Sequence, residues 1–471
     1  MLMGWDTASC EDAGVASGGT ALTCGELARM IDACLHDRVL VFGSAPPHGE
    51  DLDLLARPSA LSAIAARLAR EGFVRRGLTW ASFSGCAVLS ADLVPAEHWG
   101  LAPAELQALF AEAEPIEGLS WLALPAPHHQ ILIAARRAAR AGGTLAVKSR
   151  ARVQMALSAD PAAWALAEQR APAWQACAAM RLLGVLWQGP ASPPQAVAMA
   201  ARMELARSIA RTPGGRRRLL SRGLRSRRPA VIAFSGIDGA GKSFQAGALR
   251  NSMSHLGVET FVIWPPAQNV LFQMPPAVKG VLRSALERAG RREPVVAAGV
   301  AGSAQPAGGR ESADAGPAAG ADAAEPIFAE LPSQRPLVMH VLATIVALVQ
   351  VLSFRRGARS APGHPRVLIF DRYALDAIVY VRHRWGHGHP LRWQCLLIRV
   401  LTRRPLCAYL LDVPPDVAYA RKRDFPLENL RERTELYHEH WHALGARRVD
   451  GERPQADICE EIAREVWSLL R

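Results

Sequence analysis

Two hydrophobic periods alternate along the 471-residue chain. Short apolar runs bounded by turn residues predict strands at 39–42, 87–94, 231–234, 258–263, 366–370 and 406–413. Residues 51–55 alternate charge with leucine, as a strand with one wet face does. Helical spacing predicts a short helix around 24–35 and longer ones at 59–71, 244–256, 337–354, 417–423 and 457–470, with Asp416 as the cap of 417–423. From Pro103 to Met203 the pattern is helical, broken near 125–127, 142–143 and 189–194. In the second half, strands alternating with helices predict an α/β unit whose parallel sheet is covered on both faces. The first half reads as an α+β unit with a helical extension.

Two stretches depart from both periods. Between Ala297 and Ala324, 20 of 28 residues are Ala, Gly or Pro. That is too little apolar bulk to offset ordering entropy, so a disordered insertion is expected at about 291–330. Ala201 to Arg228 carries ten arginines and one glutamate. It reads as a basic linker, or the last helix of the first unit, dividing the chain into 1–200 and 229–471. Nucleic acid is the sharper partner for it, but charge runs are ordinarily solvated faces, so that partner is not favoured. Residues 337–354 are nearly all apolar, yet include His340 and Gln350 and precede a strand of the same sheet. A buried helix is expected there, and no membrane span.

Half of the residues are hydrophobic and 21% are charged, with a net charge of +12 owed far more to arginine than to lysine. That balance suits a folded protein and phosphate-bearing substrates. The eight cysteines contain no C-x-x-C pair, which argues against a zinc ribbon or a disulfide framework. Together with an N-terminus lacking a basic, then apolar leader, this predicts a cytoplasmic protein. The histidines at 128–129, at 383, 387 and 389, and at 438, 440 and 442 come with neither cysteine nor a clear carboxylate set, and read as loop and surface residues.

The chemistry concentrates after the strand at 231–234. Gly236-Ile237-Asp238-Gly239-Ala240-Gly241-Lys242-Ser243 satisfies G-x-x-x-x-G-K-[ST] and leads into a predicted helix. Backbone N–H groups and a helix N-terminus can then hold phosphate, with Lys242 on the β- and γ-phosphates and Ser243 on Mg²⁺. A nucleoside triphosphate is the expected ligand. Asp371 ends an apolar strand, at the carboxyl edge where such sheets bind ligands, and is placed to hold Mg²⁺ or orient an acceptor. Arg372 is placed to clamp an acceptor phosphate. Arg421, Lys422, Arg423, Arg431 and Arg433 surround 425–430 as a basic segment able to close over a nucleotide; a solvated helix face is the competing reading.

Together, the run from Phe234 to Ser243, Asp371-Arg372-Tyr373 followed by Tyr380, and Leu410 to Pro415 followed by the Arg-rich stretch resemble thymidylate kinase and its relatives. The resemblance spans about 229–471 without the insertion. It implies a P-loop nucleoside monophosphate kinase fold, transfer of the ATP γ-phosphate to a (deoxy)nucleoside monophosphate with Mg²⁺, and a homodimer. It implies that Asp238 contacts the acceptor, that Asp371 and Arg372 handle metal and acceptor phosphate, and that Tyr373 and Tyr380 line the acceptor, Tyr380 against its sugar. Arg421 and Arg423 would begin a lid that supplies the catalytic cation absent from the loop, and Asp450-Gly451 would form the adenine loop. Three features depart from the family. The strand at 258–263 leads into Trp264-Pro265-Pro266 rather than an Arg-containing, Gly-rich loop. The helix at 337–354 lacks a thymine-reading arginine, and Val381 stands where a glutamine commonly follows the tyrosine. ATP binding and phosphoryl transfer remain implied, whereas the acceptor's identity does not.

Gly43-Ser44, six residues, then Asp51-x-Asp53 resembles the nucleotidyltransferase signature. It implies a turn that holds triphosphate oxygens, two carboxylates binding a pair of Mg²⁺ ions, and Asp92 as a third carboxylate. An inactive version of that fold and a chance match are the alternatives. Three functions fit the chain: a nucleotide kinase, a nucleotidyltransferase whose kinase-like half supplies or senses nucleotide, and a non-catalytic ATP-binding switch.

Overall fold

The computed structural model describes residues 22–49, 51–189, 193–212, 228–264, 336–362, 365–386 and 391–470. The insertion expected at 291–330, residues 213–227 of the basic stretch, His387 and His389 lie outside the described residues. The chain is α/β, with one mixed sheet and one parallel sheet.

The mixed sheet follows α1 (Cys24–Asp32), whose N-cap Thr23 exchanges hydrogen bonds with Glu26. It begins with β1 (Val39–Val41) and β2 (Asp51–Ala56), then α2 (Pro58–Arg70), β3 (Val74–Arg76), β4 (Thr79–Ser84) and β5 (Ala87–Pro95). After α3 (Pro103–Ala111) the chain returns through β6 (Glu114–Pro115) and β7 (Leu122–Leu124), giving the order β3-β4-β5-β2-β1-β7-β6. These two strands correct the expectation of continuous helix from 103; runs so short carry no readable period. Next come α4 (Pro127–Arg140), α5 (Val147–Ala159), α6 (Ala163–Arg170), α7 (Cys177–Gln188) and α8 (Gln195–Ala210). Residues 201–210 of the basic stretch are thus the end of α8. There Glu204 accepts the N–H groups of Cys177, Ala178 and Ala179 at the start of α7 (3.0, 2.8 and 3.3 Å).

The parallel sheet begins with β8 (Ala230–Ser235), α9 (Lys242–His255) and β9 (Thr260–Ile263). It continues with α10 (Pro336–Ser360), β10 (Val367–Asp371), α11 (Ala374–Trp385), α12 (Arg392–Leu401) and β11 (Cys407–Asp412). It closes with α13 (Pro415–Arg421), α14 (Leu427–His440), β12 (Arg447–Asp450) and α15 (Gln455–Leu469). The strand order is β12-β11-β8-β10-β9, with every pair parallel. Ile232, Phe234 and Ile369 point into one core; Val231, Ala233, Leu368 and Phe370 point into the other. β8, β10 and β11 read as nearly unbroken apolar runs because both faces are covered, whereas the edge strand β12 buries only Val449.

Two expectations change here. α10 buries one face, including Leu342, Val346, Gln350 and Phe354, but leaves Val341 and Leu352 about half exposed. Its stretch Met339–Ser360 is, among the described residues, the one helix long and apolar enough to cross a membrane. Asp416 is not the cap of α13: Pro414 is, with Asp416 in the first turn. The two sheets meet where α15 lies on the β3–β4 hairpin. Trp467 Nε1 donates to the Val74 carbonyl (3.0 Å), Arg76 Nε donates to that of Leu470 (2.9 Å), and Ala81 and Phe83 join the core beneath α15.

Candidate active site

β8 lies between β10 and β11, so the loop that leaves it opens at the carboxyl edge between Asp371 and Asp412. Asp371 pairs in register with Phe234, at the mouth of the loop. Two glycines let the loop wedge between β11 and α13. Gly236 has φ +143°, and a Cβ there would lie 2.6 Å from the Leu411 carbonyl oxygen. Gly239 has φ +88°, and its Cβ would lie 2.5 Å from that of Ala418. Gly241, left-handed as well, is the N-cap of α9, so the loop ends on a helix N-terminus, where anions are favoured.

Lys242 is 5% exposed, and its Nζ donates to the carbonyls of Gly236 (2.9 Å) and Ile237 (2.8 Å). Burial, helped by the Arg372 charge, pushes its pKa down to about 8. The Ser243 hydroxyl donates to Asp371 Oδ2, and Trp264 Nε1 donates to the same oxygen at 3.0 Å. Asp371 Oδ1 is buried without a hydrogen-bond partner. Asp238 pairs with Arg372 and, at 3.5 Å, with Arg433 from α14. Burial works against the Asp238 charge, but Arg372, then Lys242 and Arg433, hold its carboxyl below the usual carboxylate range. The Arg372 guanidinium is likewise buried, yet Asp238 keeps it more firmly charged than an ordinary arginine. Arg372 has φ +85°, a left-handed backbone unusual for a non-glycine residue, and it is held there by its N–H donating to the Phe234 carbonyl (2.9 Å).

Asp376 supports this arrangement from the first turn of α11. Its Oδ2 accepts from the Ser235 hydroxyl (2.6 Å) and the Tyr373 N–H (2.9 Å), and its Oδ1 accepts from the Tyr437 hydroxyl (2.7 Å). One buried carboxylate thereby joins β8, α11 and α14. Sequence reasoning missed Asp376 and Trp264. Asp376 reads as an ordinary first-turn acid, and Trp264 stood out only as a departure from a family pattern.

The remaining expected residues are distributed unevenly. Both Arg421 terminal nitrogens donate to the Gly451 carbonyl at 3.3 Å, and the Gly451 N–H donates to that of Asp412 (2.8 Å), so the residue expected to begin the lid and the 450–451 turn are coupled beside buried Ala240. Asp450 Oδ1 accepts the Glu452 N–H (2.9 Å). Arg423 is exposed, with its guanidinium 6.0 Å from the Tyr419 ring centre, and Arg431 pairs with the exposed Asp416 and Glu428. Tyr373 packs against Phe354 and Phe370 and donates its hydroxyl to the Arg403 carbonyl (3.0 Å), which makes it a core residue. Tyr380 sits edge-on to Trp385.

In the mixed sheet, Asp53 on β2 pairs in register with Asp92 on β5, and Asp51 lies two residues away on β2. Gly43 packs so closely that a Cβ would fall 2.7 Å from Asp53 Oδ2, and Ser44 follows it in the turn before β2. Arg137 donates to Asp53 (2.6 Å), Lys148 stands 3.6 Å from Asp51, and Thr79 donates to Asp92 (2.5 Å). Burial, then the charges of Asp53 and Asp51, raise the Asp92 pKa. The three carboxylates converge as expected, but α4 and α5 bring cations onto two of them, a feature that sequence spacing did not signal.

One reading of the histidines is overturned. His128 and His129 are buried in α4, not on a loop, and Glu112 Oε2 stands 3.2 Å from His128 Nε2. Ligand atoms of the three lie within 4.8 Å of one another, but Arg170 also pairs with Glu112 (2.8 Å). His129 stacks on Trp174, its ring nitrogens without hydrogen-bond partners, and burial drives its pKa down to about 3.

No family model matches the chain. Over 40 residues, 8% of its length, it is 50% identical to an adenylyl-sulfate kinase of Vibrio cholerae and 48% identical to one of Vibrio parahaemolyticus. The chain spans about a fifth of the length of these curated relatives (19% and 20%). Over that stretch, the similarity is to a P-loop kinase.

Proposed function

We propose that the parallel-sheet half is an ATP-dependent kinase that phosphorylates a nucleoside monophosphate. The observation that carries this reading is the convergence of the Ser243 hydroxyl, the Asp371 carboxylate and the buried Lys242 ammonium beside the Asp238–Arg372 pair. Ser243 and Asp371 fit a Mg²⁺ ion, because Asp371 Oδ1 is buried without a hydrogen-bond partner. Such an ion neutralises charge on the β- and γ-phosphates. Lys242 exchanges two loop carbonyls for phosphate oxygens, and the α9 N-terminus adds its N–H groups. Arg372, fixed by Asp238, meets the acceptor phosphate, and Arg433 approaches the transferring group from α14. Arg421 and Gly451 border the nucleotide base.

Motif resemblance points to thymidylate kinase-like acceptors, and the 40-residue similarity adds adenylyl sulfate as a second acceptor class. An ATP-consumption screen of the full chain should cover ribo- and deoxynucleoside monophosphates and adenylyl sulfate. Turnover with one of them, lost in Lys242→Ala and in Asp371→Ala, is the expected result. ATP binding without phosphorylation of any acceptor would defeat the kinase reading and leave a binding switch. The registered carboxylates Asp53 and Asp92 favour a nucleotidyltransferase as a second reading for the mixed sheet. Pyrophosphate release from a triphosphate that survives Asp53→Ala would remove it.

A further inference from the structure

The contact between the two sheets holds a pair of thiols that no nucleotide chemistry uses. Cys86 lies in the β4–β5 turn and Cys459 on α15, 373 residues apart in sequence, and their Sγ atoms stand 3.2 Å from each other. Cys459 is 2% exposed, whereas Cys86 is only partly buried, so the pair has one open side. The turn is pressed onto the helix: Gly85 has φ +58°, a Cβ there would lie 3.2 Å from Ala456 Cβ, and its N–H donates to Glu460 (3.2 Å). Beside the turn, Arg464 donates to the carbonyl of Gly72, just before β3 (3.1 Å).

We propose that Cys86 and Cys459 form a peroxide-sensitive pair whose disulfide clamps the β3–β5 meander to α15. A disulfide needs the sulfurs to close from 3.2 Å to about 2.0 Å. Hydrogen peroxide transfers one oxygen to the Cys86 sulfur, giving a sulfenic acid and one water. The Cys459 sulfur then attacks the Cys86 sulfur, the S–O bond breaks, and a second water leaves. Overall, two thiols and one peroxide give one disulfide and two waters, a two-electron oxidation. The absence of C-x-x-C spacing does not count against such a pair, because the fold, not the sequence, brings the sulfurs together. Gln245 of α9 donates to the Gln455 carbonyl at the start of α15 (3.1 Å), so the clamp reaches the helix that begins at Lys242.

The test treats the reduced full chain with hydrogen peroxide, alkylates what remains under denaturing conditions and maps the peptides by mass. The expected product is a crosslinked Cys86–Cys459 peptide pair, two hydrogens lighter than its parts and separated by dithiothreitol. It should be absent from Cys86→Ser, in which Cys459 stays alkylatable. The oxidised wild type should also melt at a higher temperature than the reduced form. Cys86 recovered as sulfinic acid with Cys459 still alkylated overturns the proposal, as does oxidised protein with both thiols intact. Should Cys459→Ser unfold, Cys86→Ser alone decides the matter, since Cys86 is the less buried member.

Discussion

Gly239→Ala tests whether the loop that follows β8 is held by α13. The position has φ +88°, and the added methyl would meet the Ala418 carbonyl oxygen at 2.5 Å and its carbon at 3.1 Å. An L-residue in left-handed backbone costs about 1–2 kcal/mol, and overpacking typically costs about 1–3 kcal/mol. Neither partner is a flexible side chain, so relief requires the loop or α13 to move, for a total of about 2–5 kcal/mol. If the loop relaxes in the free protein, ATP must reimpose the strained arrangement when it binds. Even about 2 kcal/mol then weakens ATP roughly thirtyfold. Gly247 is the internal control: it lies in α9 with nothing within 4 Å of its would-be Cβ. Alanine there should stabilise the chain by up to about 1 kcal/mol and leave ATP affinity unchanged. Urea unfolding and titration with a fluorescent ATP analogue, run on both variants, read the two effects. Undiminished affinity in Gly239→Ala, or an equal loss in Gly247→Ala, refutes the geometry.

Other perturbations follow from individual contacts. His129 has a folded pKa of about 3 against an ordinary 6.5, so only the unfolded chain takes up its proton; stability is lost as pH falls below 6.5. At pH 5 the loss is about 2 kcal/mol. It should appear as a lower urea midpoint at pH 5 than at pH 7.5, with a smaller difference in His129→Phe; equal differences contradict it. Asp376→Ala strands the donors from Ser235, Tyr373 and Tyr437 and should cost at least about 3 kcal/mol, measured by denaturant unfolding. Arg433→Ala should slow turnover far more than Arg423→Ala, because Arg433 reaches Asp238 while Arg423 is exposed beside Tyr419; equal kcat values in a steady-state assay would count against it.

Four strands of the parallel sheet were legible as apolar runs, whereas the edge strand β12, Arg447-Arg448-Val449-Asp450, is mostly exposed and was missed. The glycine-rich loop after β8 was legible because its glycines answer to steric limits, 2.6 Å at Leu411 and 2.5 Å at Ala418, that no other residue meets. What escaped is what depends on distant chain. β6 and β7 are too short to carry a period. Asp376 has partners 61 and 141 residues away, and its role exists only after folding. The burial of His128 and His129 followed the same logic, since α4 is covered nearly all round and the stacking partner Trp174 comes from beyond α6.

The basic stretch after β11 carries the same lesson into function. In sequence, Arg421, Arg423, Arg431 and Arg433 are equivalent charges, and each could serve the expected lid. In the fold they have three different fates. Arg421 is committed to the Gly451 carbonyl, where it fixes the turn after β12. Arg423 and Arg431 face solvent, and surface pairs such as those of Arg431 contribute little. Arg433 alone of the four pairs with Asp238 in the loop after β8, stacked on Phe425 and 3.5 Å from a carboxylate that already holds Arg372. Asp238 lowers the cost of keeping two guanidinium groups side by side, which under the proposed kinase function would let them meet an anion together. The choice between a solvated face and the expected lid is therefore made residue by residue. Within this stretch it is Arg433, the farthest of the four along the chain, that reaches the proposed site.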